Sequence, residues 1–117
     1  MYRITFYENR RGEIPVLEYI DKLAIRDDKN SRIKFDNVMD CIEQLRVNGT
    51  YANEKFVKHV RGEIWELRPL RDRILFAAWV GDSFVLLHTF QKTTQKTPPA
   101  EIEQAERELA DFKERFG

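Results

Sequence analysis

Residues 63–98 read E-I-W-E-L-R-P-L-R-D-R-I-L-F-A-A-W-V-G-D-S-F-V-L-L-H-T-F-Q-K-T-T-Q-K-T-P, a pattern that restricts the chain to an antiparallel sheet before anything else is known. Two apolar-rich segments, 63–70 and 73–80, flank a polar turn at Arg71-Asp72. A third, 83–92, follows Gly81-Asp82, a glycine-first pair suited to a two-residue type II′ hairpin. The spacing predicts a meander of three strands.

Side chains alternate between the faces of a strand, so the loop lengths decide which residues share a side. With Gly81-Asp82 as the loop, Val80 pairs with Ser83, Arg73 lies opposite Phe90, and Leu75 lies opposite His88. One face then carries Arg68, Arg73, His88, Phe90 and Lys92. The other collects Trp65, Leu67, Ile74, Phe76, Ala78, Val85 and Leu87, which is apolar throughout and must be covered. Trp65 is read as a large core side chain.

Two readings of the charged face are open. In one, two guanidinium forks and a lysine hold phosphate oxygens while an aromatic ring stacks on a base, so the face takes a phosphodiester. In the other, Arg68 and Arg73 pair with Glu66 and Asp72 on a solvated surface, and His88 and Phe90 extend the core.

The remaining chain supplies covering elements. Residues 2–7 alternate weakly and predict a first strand; Pro15 opens a helix over 15–24 with Val16, Ile20 and Leu23 on one stripe. After a polar connector at 26–30, Ser31 reads as the N-cap of a helix in which Phe35, Val38, Ile42 and Leu45 recur, ending at Asn48-Gly49. The segment Phe56-Val57-Lys58-His59-Val60 is too short and mixed to assign. Thr97-Pro98-Pro99 opens a last helix with Ile102, Ala105, Leu109, Phe112 and Phe116 on one stripe, free to dock on the domain or to meet a partner. The expected class is α+β: an antiparallel sheet with two helices on one face and a C-terminal helix, forming one domain over residues 1–117.

Charge narrows the function. The net charge is zero, but residues 51–97 hold eight Lys and Arg against five Asp and Glu, and residues 98–117 hold three against six. A net of +3 thus sits in the strand region and −3 in the tail, a modest pointer to a polyanion partner. The single cysteine, Cys41, excludes a disulfide framework and fits a cytoplasmic setting. The longest apolar run, 74–80, is too short to span a bilayer, so no membrane role is expected. There is no phosphate-binding glycine loop, no histidine pair at metal spacing, and on the charged face no carboxylate beyond Glu66. No metal and no cofactor are expected. Any nuclease chemistry then falls to side chains, which RNA permits because its own 2′-hydroxyl can attack the adjacent phosphorus.

Those same residues resemble a known family. E-I-W-E-L-R at 63–68, R-I-L-F at 73–76, V-L-L-H-T-F-Q-K-T-T-Q-K-T-P at 85–98 and E-I-E-Q-A-E-R at 101–107 resemble the HigB-like, phage-derived branch of the RelE/ParE toxin superfamily. The resemblance covers nearly the whole chain. It implies a RelE-like fold and a toxin that enters the ribosomal A site, cuts mRNA and is neutralised by a HigA-like helix-turn-helix antitoxin that also represses the operon. By the same resemblance Arg68 and Arg73 hold the scissile phosphate, and Phe90, Lys58 and Lys96 contact RNA. Relatives carry a tyrosine or histidine late in the last strand where this chain has Phe90, and a phenyl ring moves no proton. Lys92, near the strand end beside Arg73 and Arg68, is read as the base or general acid, with His88 as the alternative. A ParE-like gyrase poison and a non-catalytic binding module of the same fold are the competing functions.

Overall fold

The computed structural model describes residues Met1–Gly117 and has the expected α+β class. The chain runs β1 (Arg3–Phe6), α1 (Pro15–Ile25), α2 (Lys29–Asn48), β2 (Val57–Arg61), β3 (Ile64–Leu67), β4 (Asp72–Trp79), β5 (Ser83–Gln91) and α3 (Pro99–Phe116), with one 3₁₀ turn at Gly49–Tyr51. The five strands form one sheet in the order β1-β5-β4-β3-β2. No helix is long and apolar enough to cross a membrane.

The build of the sheet and its covering differ from the sequence expectation in three main ways. The sheet is mixed rather than antiparallel, because β1 lies parallel to β5 from Arg3↔Ser83 to Phe6↔Leu86. The unassigned stretch around Lys58 is a strand, so the meander has four members and Lys58 stands directly opposite Glu66. Third, the charged face is not open. α3 lies across it, and Ala105, Leu109 and Phe112 join Ile64, Leu75, Ala77, Val85 and Leu87 in a core of their own. Burial on both faces explains why β4 and β5 read as nearly continuous apolar runs.

The other face is covered by α1 and α2, as expected. Pro15 stands at the first turn of α1, and Val16, Ile20 and Leu23 recur at helical spacing to meet Leu67, Ile74, Phe76 and Leu86. α2 starts earlier than the polar connector suggested. Asp28, not Ser31, is its N-cap: the Asp28 carboxylate accepts from the Ser31 backbone N–H at 2.9 Å and from the Ser31 hydroxyl at 2.8 Å. Gly49 ends the helix at φ 60°, and a Cβ there would stand 2.8 Å from the Tyr2 ring, so glycine is required twice over.

The β4–β5 hairpin departs from the two-residue turn. Trp79 pairs with Ser83, leaving Val80, Gly81 and Asp82 as a three-residue loop, and a bulge in β5 between Leu86 and His88 then restores the count. Arg73↔Phe90 and Leu75↔His88 therefore stand as expected, two errors having cancelled. Between bulge and loop they do not cancel. Val85 and Leu87 turn toward α3 while Phe84 and Leu86 face α1 and α2. Ala78 is exposed and Trp65 only half-buried, so neither is the core residue its position in the pattern suggested.

Candidate active site

Alternation and register place Lys58, Glu66, Leu75 and His88 in one row across β2, β3, β4 and β5, on the face under α3. Arg68 lies one step past Glu66 on that side, and Arg73 one step before Leu75. The cations thus converge at one end of the sheet, where the polar residues 92–97 between β5 and α3 lie beside them and reach Glu66 through Thr97.

Glu66 is the centre of the group and is only 2% exposed. Its Oε2 lies 3.4 Å from Arg68 Nε and 3.6 Å from Arg73 Nε, while its Oε1 accepts from the Thr97 hydroxyl at 2.6 Å. Arg73 is also tied to its own turn, where its Nη1 donates to the carbonyls of Leu70 and Asp72, both at 2.8 Å. Leu70 holds a left-handed φ of 56°, an unusual conformation for a branched residue, and it is this backbone that aims the Leu70 carbonyl at Arg73. Burial, partly offset by Glu66, holds the Arg73 pKa below the ordinary arginine value. Asp72 does not pair with the Arg73 guanidinium. Its carboxylate turns to the helix side, to the Tyr19 hydroxyl and Lys34.

Two openings meet at Lys92. One, of about 260 Å³, is lined by Lys58, Glu66, Lys92, Lys96 and Thr97, and the other, of about 460 Å³, by Arg71, Arg73, Lys92, Thr93 and Thr94. Burial lowers the Lys92 pKa; Arg73, Arg68 and Lys58 lower it further against the opposing pull of Glu66. A larger groove of about 860 Å³ runs along β1, lined by Tyr2, Ile4, Phe6, Trp79, Phe112 and Phe116 among others. Its charged residues are Arg3, Glu8 and Arg46, the last already paired with Glu43, and no buried carboxylate gathers them. Charge density rather than volume locates the site.

His88 is a different kind of residue. It is 4% exposed, with Nδ1 at 2.6 Å from Glu108 Oε1 and Nε2 at 3.0 Å from Glu101 Oε1, so both ring nitrogens are taken by α3. Burial pulls its pKa down, but the two carboxylates outweigh burial and leave it raised. The sign of the pH effect follows: an imidazolium favoured by the fold contributes stability that is fully present below the unfolded value of about 6.5 and is lost as pH rises through the higher folded value. Thermal unfolding of the parent is expected to show a midpoint that declines above about pH 6.5 more steeply than in His88→Gln. Parallel slopes would remove His88 from the clasp on α3.

The family model for phage derived protein Gp49-like (DUF891) matches residues 27–110 of the 117. The chain belongs to this Gp49-like family. No curated protein matches it. Gp49-like proteins are associated with the toxins of toxin–antitoxin systems, which in general work against an antitoxin partner.

The Gp49-like match begins ahead of α2 and ends within α3, so it contains every side chain of the cluster and leaves out β1 and α1. Of the residues expected at the site, the structure brings together Lys58, Arg68, Arg73, Lys92 and Lys96. Arg68 lines neither opening and reaches the group through Glu66, with its Nη1 donating to the Glu54 carbonyl at 3.0 Å. Phe90 is half-buried against the core beneath α3, 6.3 Å from the His88 ring, and lines neither opening. The pairing of Arg68 and Arg73 with Glu66, read as a feature of a solvated surface, is found buried, and the part played by Thr97 had no signal in the sequence. Had the Lys58 segment been recognised as a strand, its register would have set a lysine opposite Glu66 and marked that carboxylate.

Proposed function

We propose that this Gp49-like protein is the toxin of a type II toxin–antitoxin system, one toxin domain over residues 1–117, and that it is a HigB-like, ribosome-dependent mRNA endonuclease. One observation carries the reading: Lys58, Arg68, Arg73 and Lys92 surround a single buried carboxylate beside openings that meet at Lys92. Such an excess of fixed positive charge suits a phosphodiester whose charge grows in the transition state.

The chemistry is transfer within the RNA. The neutral amine of Lys92 removes the proton from a 2′-hydroxyl, and that oxygen attacks the adjacent phosphorus as the bond to the 5′-oxygen breaks. The products are a 2′,3′-cyclic phosphate and a 5′-hydroxyl end, with a proton passing to the departing oxygen. Arg73 and Arg68 offset the developing charge, Lys58 and Lys96 hold the strand, and Phe90 steadies the end of β5. A lowered Lys92 pKa raises the fraction of free amine near neutral pH, which favours it over a doubly engaged His88. The toxin acts in the cytoplasm on mRNA held by the ribosome, and its partner is a HigA-like helix-turn-helix antitoxin. No cofactor enters the scheme.

Primer extension on mRNA from cells expressing the protein without a partner tests this directly. New 5′ ends within translated regions, with little cutting of naked RNA, are the expected result. Absence of such ends together with DNA damage would replace the nuclease by a gyrase poison, and growth without arrest would leave a binding module.

A further inference from the structure

A guanidinium holds a phosphate usefully only when its fork is fixed, and a fork is fixed from behind. In this site the fixing group is a carboxylate buried at the edge of one opening. Glu66 is 2% exposed, its Oε1 is occupied by the Thr97 hydroxyl, and its Oε2 faces the Nε atoms of both Arg68 and Arg73. Each Nε is buried and makes no hydrogen bond, so Glu66 is the group that answers the charge on that side. Backbone carbonyls take Nη1 of each arginine, Glu54 for Arg68 and Leu70 and Asp72 for Arg73. With Nε and Nη1 held in this way, neither Nη2 is engaged by the chain.

We propose that Glu66 is the positioning residue of the site: a buried carboxylate, anchored by Thr97, that holds the guanidinium groups of both Arg68 and Arg73, with the Nη2 of each left unengaged by the chain and Arg73 set at the opening for a phosphodiester. Its consequence for cleavage rests on the nuclease reading above, but the geometry it asserts does not. Glu66 is not assigned as the proton acceptor, since one oxygen is taken by Thr97 and the other lies against two guanidinium groups. Its negative charge also opposes the mutual repulsion of Lys58, Arg68, Arg73 and Lys92, so its loss frees the arginines to turn apart. The contact to Thr97 has a second effect. It ties the 92–97 segment, which lines both openings, to the same carboxylate.

Glu66→Gln keeps the length of the side chain and an oxygen for Thr97 but removes the charge. In single-turnover cleavage of ribosome-bound mRNA it is expected to slow the reaction by roughly tenfold to a hundredfold, the scale of a misplaced catalytic group. Its affinity for inorganic phosphate should not fall, because the net positive charge of the site rises by one. Cleavage at the parental rate, or cleavage and phosphate affinity falling in step, overturns the proposal. Thr97→Val, which keeps every charge, is expected to cause a smaller loss in the same direction; it decides the matter if Glu66→Gln fails to fold, and parental cleavage by a folded Thr97→Val then counts against the anchor. A parent that cuts no RNA overturns the nuclease reading instead. The Nε–Hε signals of Arg68 and Arg73 in nitrogen-15 spectra still test Glu66 in that case: distinct and slowly exchanging in the parent, they should broaden in Glu66→Gln or Thr97→Val while the backbone spectrum holds. Unchanged arginine signals sink the assignment.

Discussion

Arg73→Ala is expected to slow single-turnover cleavage of ribosome-bound mRNA by roughly a hundredfold or more, the scale of deleting one transition-state donor. Arg73 is 8% exposed and fixed by two carbonyls and Glu66, so its charge acts in a dry setting with little reorganisation left to make. Arg68 is more open, with a quarter of its side chain exposed, and Arg68→Ala should have a smaller effect. Arg73→Lys should rescue little, because an ammonium puts all its donors on one atom and lacks the planar fork that lets one nitrogen hold the Leu70 and Asp72 carbonyls while another meets phosphate. Parental rates for both Arg68→Ala and Arg73→Ala would place the site elsewhere. The proton acceptor is settled by the pair Lys92→Ala and His88→Gln: the first should abolish cleavage while leaving the fold intact, and the second should alter stability more than rate.

Phe76→Ala is expected to be the most damaging substitution for stability, at about 3–5 kcal/mol. Phe76 is fully buried at the centre of β4, facing α1 and α2, with its ring edge-on to Phe84 at 5.5 Å between centroids. Truncation opens a void between sheet and helices that neighbours on a rigid strand cannot fill. Trp65→Ala, by contrast, removes a half-buried ring stacked edge-on against exposed His59, and should cost less. Chemical denaturation of both variants gives the ordering; a larger loss at Trp65 would contradict the burial described above.

The helices and most of the sheet were legible because their signals are local. Pro15 with a stripe at Val16, Ile20 and Leu23 can hardly be read another way, and the alternation from Glu63 onward fixes strand direction. What escaped was whatever depends on a partner element. Lys58 and His59 are exposed on opposite faces of an edge strand, so β2 carries no apolar alternation to read. The stripe on α3 was plain, but a stripe does not say what it covers, and the burial of His88 under Glu101 and Glu108 followed from that unknown. The bulge near Leu87 is invisible to a period-two count, which is why Val85 and Leu87 were set on the wrong face while Arg73 and Phe90 were matched correctly. At the site, the arginines were found by their spacing. Their pairing with Glu66 was legible too, but its burial became visible only once Lys58 and Thr97 were brought to it.

The parallel pairing of β1 with β5 sets an order of events in time. β2 to β5 join neighbours along the chain through short turns and can zip locally, whereas Arg3 must wait for Ser83 before it has a partner. Closing so long a loop is entropically costly and slow relative to hairpin formation. During synthesis β1 is made first but finds its strand partner only when β5 has emerged, and the cation cluster cannot be complete before Thr97 follows. The cluster therefore assembles only after all five strands have been made, since Thr97 follows the last of them.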